Sequence, residues 1–199
     1  MSVKQLIRDF SARTSVPVEI DDVIAAIRAK GVIDEIYPFW DVNLDPRILK
    51  GYIKHDELIV DETGKTKRVA EITYAKMGHE TERLVCCKEI LHIIDPDAYR
   101  VSSPSQIEEL VERIVLPPDL VDESEDGLPV LSDRLALWEA TAVLFPLATR
   151  NLVLPAFTNG RMSLAEIADL VEIPVRYAAM VMSGVWEQIH TLLITENNA

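Results

Sequence analysis

The sequence predicts an α+β fold: a small, mainly antiparallel sheet packed with helices and followed by a helical C-terminal region. Three observations carry that prediction. Segments 3–30 and 78–94 read as helices, with apolar residues at helical spacing in the first. Between them, residues 32–76 concentrate β-branched and aromatic side chains around a turn, Asp61-Glu62-Thr63-Gly64-Lys65-Thr66. Beyond residue 131 the chain reads as helices again.

The elements follow in order. Residues 3–13 form a short helix. A second runs over 20–30, where Ile20, Val23, Ile24 and Ile27 make one apolar face, Asp21 and Asp22 suit the positive helix end, and Gly31 stops it. The strands of 32–76 form a meander. The next helix spans about 78–94 and ends at Asp95-Pro96, because proline disfavours helical geometry in the residue before it. Another starts near Ser103 or Ser105 and stops at Pro117-Pro118. Three regions result: an α+β domain over 1–121, an acidic loop or linker over 122–130, and a helical region over 131–199 with a break at Pro146.

The 199 residues, 48% hydrophobic with a mean hydropathy of +0.10, suffice for a full core. The formal net charge is −13, which repels phosphate backbones and anionic lipid, so nucleic acid and membranes are disfavoured partners. Lys4, Arg8 and Asp9 interrupt any N-terminal secretory signal, and a cytoplasmic location is expected. Cys86 and Cys87 are adjacent and cannot staple the fold; core packing is their expected role.

One stretch carries chemistry. Lys88-Glu89-Ile90-Leu91-His92 would be the zinc-peptidase motif H-E-x-x-H if position 88 were His. Residues four apart on a helix share a face, so two imidazoles grip zinc and the intervening Glu takes a proton from metal-bound water. A protonated lysine has no lone pair to offer.

The order of elements around this motif resembles the ImmA/IrrE family of metallopeptidase-like proteins. The resemblance runs through "LIRDFSARTSVPVEIDDVIAAIRAKGVI", "ILKGYI", "KRVAEITYAKMGHETERLVCCKEILHII" and "IEELVERIVLPPDLV", roughly residues 5–120. It implies that Glu89 matches the catalytic base, His92 the second zinc-binding His, and Glu108 or Glu109 the acidic ligand, while Lys88 stands where the family has its first His. The expectation is therefore a catalytically inactive, metallopeptidase-like protein with no cofactor, acting through protein contacts or regulation. The Lys88 ammonium would replace the metal charge among Glu89, His92 and Glu108 or Glu109. A helix-turn-helix transcription regulator is the partner that the resemblance implies.

Two rival readings remain. The first is a zinc-dependent protease using Glu89, His92 and Glu108 or Glu109. The second is a DNA-binding regulator built on "MSLAEIADLVEIPVRYAAMVM", which has helix-turn-helix spacing but offers only Arg176 to a phosphate or base edge. Met180, Met182, Val185 and Trp186 crowd that second helix and suit a core or, alternatively, a dimer or partner surface. Pro38-Phe39-Trp40 and Trp138 read as core anchors. No nucleophile elbow, phosphate loop or dinucleotide fingerprint occurs.

Overall fold

The computed structural model describes residues 2–32, 35–59, 64, 66–94 and 128–195, with side chains of the last stretch described from residue 135. The helix expected near Ser103, the loop 122–127, and with them Glu108 and Glu109 lie outside the described residues. Within them are eight α-helices and one three-stranded sheet. The elements are α1 (Val3–Ser11), α2 (Ile20–Ala29), β1 (Glu35–Asp41), β2 (Gly51–Ile59), β3 (Thr66–Ala75) and α3 (His79–Leu91), which ends in a 3-10 turn, His92–Ile94. After them come α4 (Leu128–Leu144), α5 (Leu147–Thr158), α6 (Leu164–Val171), α7 (Val175–Val181) and α8 (Trp186–Ile194).

The helix boundaries follow the local chemistry of the sequence. The Ser2 hydroxyl accepts from Gln5 N–H at the start of α1, and Val3, Leu6, Ile7 and Phe10 form its buried stripe. In α2 the buried stripe is Val23, Ile24 and Ile27, and Gly31 follows it at φ 97°, a conformation open to glycine without strain. At the head of α6, Ser163 and Glu166 make a reciprocal capping box. Pro146 separates α4 from α5, and the chain bends by 75° there. Helix α4 begins at Leu128, inside the stretch read as a linker.

The sheet differs from the expected meander. Its order is β1-β3-β2, with β2 antiparallel to β3 but β1 parallel to it. Residues 42–50 carry the chain across the end of β3, where Ala75 N–H donates to Lys50 O at 2.8 Å and Lys76 N–H to Asp41 O at 3.4 Å. Apolar alternation marks which residues are strands but says nothing about which strand lies in the middle. Ile36, Ile53, Ala70 and Ile72 share the buried, helix-facing side, while Tyr37 and Phe39 project from the other.

Helix α3 is the centre of the molecule. Every residue from Arg83 to Leu91 is buried, with β2 and β3 on one side and α2 and α4 packed around the rest. The C-terminal helices belong to the same core as the N-terminal half: α1 packs against α4 and α8, and Phe145, Trp186 and Leu193 join Leu6, Ile72 and Ile90 in one cluster. Among the described residues no single helix is long and apolar enough to cross a membrane.

Two aromatic expectations are corrected. Phe39 and Trp40 are exposed, Trp40 by 53%, because β1 is an edge strand. Trp138 is also exposed, about half a turn away from the buried Ala136 and Ala140 on α4.

Candidate functional site

The buried stretch of α3 contains three charged groups, and burying charge is costly unless it is paired. They are accommodated in two arrangements. The Arg83 guanidinium donates to Val18 O at 2.8 Å and to Glu172 O at 3.3 Å, and it pairs with the Glu19 and Glu172 carboxylates. It thereby ties α3 to the left-handed residue that closes α6. His79 also meets Glu172 at 3.0 Å, so the turn between α6 and α7, which the rival helix-turn-helix reading used, is tied to α3.

Lys88 and Glu89 form the second arrangement. They are 5% and 2% exposed, and Lys88 Nζ lies 2.7 Å from Glu89 Oε1. Neighbouring residues on a helix point about 100° apart. The Lys88–Glu89 contact spans this angle, and it is an ion pair without hydrogen-bond alignment at Oε1. His92 keeps the helical spacing, since its N–H donates to Lys88 O, and its side chain is half-buried in the 3-10 turn. Lys88, Glu89 and His92 all have interaction partners.

The sheet approaches this pair through Gly51. A Cβ at that position would lie 2.6 Å from Val85 Cγ1, 3.0 Å from Glu89 Oε1 and 3.1 Å from Thr73 O. Only a residue without a side chain lets β2 lie this close to Glu89. The glycine inside the strand was the legible signal for it.

Helix α4 also carries a charged residue, Glu139. It is half-buried on the face of α4 that carries Ala136, Ala140 and Val143 inward, and it too has an interaction partner. A charged residue interrupting an apolar helix face was the available clue.

The remaining candidates divide by burial. Trp186 is fully buried and Met182 nearly so, which corrects their reading as a partner surface: Trp186, His190 and Leu193 form the inward stripe of α8. Met180 is half-buried and packed against the core, whereas Val185 and Arg176 are exposed, with the Arg176 guanidinium over the Tyr177 ring. Cys86 and Cys87 are buried free thiols, as the packing reading expects; burial pushes Cys86 up to about 12 and raises Cys87 as well.

Zinc is tested by the donor set. Among the described residues no three His, Cys, Asp or Glu side chains converge on one ion position. The motif itself presents one imidazole beside an ammonium–carboxylate pair, and this set does not fit tetrahedral zinc. Compared with known proteins, the chain matches no protein-family model, no curated protein and no solved structure.

Proposed function

We propose that this chain is a metallopeptidase-like binding or regulatory protein in which a lysine has replaced the metal. The observation that supports this reading is the buried Lys88–Glu89 ion pair. A general base must be free to take a proton from water. Here Glu89 is held by an ammonium that supplies a positive charge but no Lewis acid and no bound water. What remains useful is the shape of the fold and its surface, so the function is carried by contact with a protein partner. A helix-turn-helix regulator is the partner class that the family resemblance suggests.

The test is the metal content of chain purified without chelator or metal-affinity tag, measured by elemental mass spectrometry beside Lys88→His. The expected result is metal-free native protein and uptake of about one zinc by Lys88→His. Stoichiometric zinc in the native chain would overturn the proposal. Lys88→Ala should lower stability by about 3 kcal/mol, because it strands a buried carboxylate; a neutral thermal melt would count equally against it.

A further inference from the structure

The outer edge of β1 carries three exposed aromatic side chains, Tyr37, Phe39 and Trp40. Among the described residues its seven residues, Glu35–Asp41, pair with β3 on one side only. Tyr37 and Phe39 stand exposed on one face of the sheet, and Pro38 and Trp40 stand exposed on the helix-facing side. Apart from Pro38, which has no N–H to donate, this edge presents backbone donors and acceptors that an added strand can meet.

Beside this edge, on the helix-facing side, lies a cleft of about 280 Å³. Pro38 of β1 forms one wall, and Ile20 and Cys86 add apolar surface. Asp21, Tyr74 and Glu82 supply oxygen atoms. Arg83 and His79 also line it, but their polar groups are already engaged with Val18, Glu19 and Glu172. Glu82 is paired with Lys76 and accepts from Met77 N–H, whereas the Asp21 carboxylate makes no hydrogen bond or ion pair among the described residues. Counting the groups in contact, Glu19, Asp21, Glu82 and Glu172 outnumber Arg83 and Lys76, so the cleft is negative.

We propose that the free edge of β1 docks an extended segment of a basic partner protein, one lysine or arginine of which enters the cleft beside Pro38. A strand added along β1 would send alternate side chains to the two faces of the sheet. Those on the Pro38 side reach the cleft, where an aliphatic stem lies against Ile20 and Pro38 and the cationic head meets Asp21. Those on the other side cover Tyr37 and Phe39. A second copy of this chain fits less well. Antiparallel pairing of two β1 edges centred on Pro38 would put Glu35 opposite Asp41, and it would join two chains of net charge −13. The site is separate from the Lys88–Glu89 pair and stands whether or not that pocket takes a metal.

The test uses the full chain and a fluorescently labelled peptide of the same length as β1, alternating threonine and valine around a central lysine. Two companions carry glutamate in place of the lysine, or backbone N-methyl groups. Anisotropy should show binding of the lysine peptide, about tenfold weaker binding of the glutamate peptide, and loss with N-methylation. Asp21→Asn, at an exposed position, should weaken the lysine peptide by a similar factor, and the peptide should slow amide hydrogen exchange across 35–41. Equal affinity for the lysine and glutamate peptides, indifference to N-methylation, or no binding at all would overturn the proposal. So would sedimentation showing a dimer that Trp40→Lys dissolves, because the edge would then belong to a second copy.

Discussion

Replacing Gly51 by alanine tests whether β2 is seated against α3 as closely as described. The new methyl carbon would sit 2.6 Å from Val85 Cγ1, about 1 Å inside the optimum for two carbons. Val85 cannot step aside: it is β-branched, lies on a helix where χ1 is restricted, and is 2% exposed. On the other side the methyl meets Thr73 O at 3.1 Å, a backbone atom of the central strand. Overpacking of this kind costs about 1–3 kcal/mol. The smaller entropy of an unfolded alanine offsets about 0.4–1 kcal/mol of it. Taking the centres of the two ranges, the net loss is about 1.3 kcal/mol, and at about 2–4 °C per kcal/mol for a chain of this size the midpoint should fall by about 3–5 °C. Thermal and urea melts of Gly51→Ala, Val85→Ala and the double variant give the coupling directly. Val85→Ala should relieve the clash, so the double variant should be more stable than the sum of the single losses by about 1 kcal/mol. A Gly51→Ala protein as stable as the parent, or losses that simply add, would refute the close approach.

Two further outcomes follow from buried titratable groups. His190 Nε2–H donates to Ser11 Oγ at 3.0 Å, because that hydroxyl already donates to Ile7 O, and burial lowers the imidazole pKa below its ordinary value of about 6.5. As pH falls below about 6.5 the unfolded chain takes up a proton that the folded chain resists. Stability should therefore drop through that window and level off below the folded-state pKa. His190→Gln should flatten this part of a urea-midpoint profile, and an unchanged slope would contradict the assignment. Cys86 and Cys87 are held protonated at neutral pH by burial, so a thiol reagent should modify them only as fast as the protein unfolds. Rapid labelling of native protein at pH 7 would refute their burial.

The sequence by itself determined the local elements, because their causes are local. Ile20, Val23, Ile24 and Ile27 define the face of α2, Ser163 and Glu166 define the start of α6, and Pro146 separates α4 from α5. The α+β class was legible for the same reason. The spacing of Lys88, Glu89 and His92 on one helix was also legible, since it is a property of the helix alone. Tertiary structure decided the rest. Nothing in the alternation of β1 and β3 announces that they pair in parallel or that Trp40 stands at an edge, because strand order is set by where residues 42–50 cross. Trp186 and Trp40 are the same residue type, yet one is buried at the centre and the other exposed. The burial of Lys88 and Glu89 is likewise a tertiary fact: it requires a sheet on one side of α3, helices around the rest, and a glycine on β2 to admit the carboxylate. Burial and pairing depend on which surfaces meet, and those surfaces come from segments far apart in the chain.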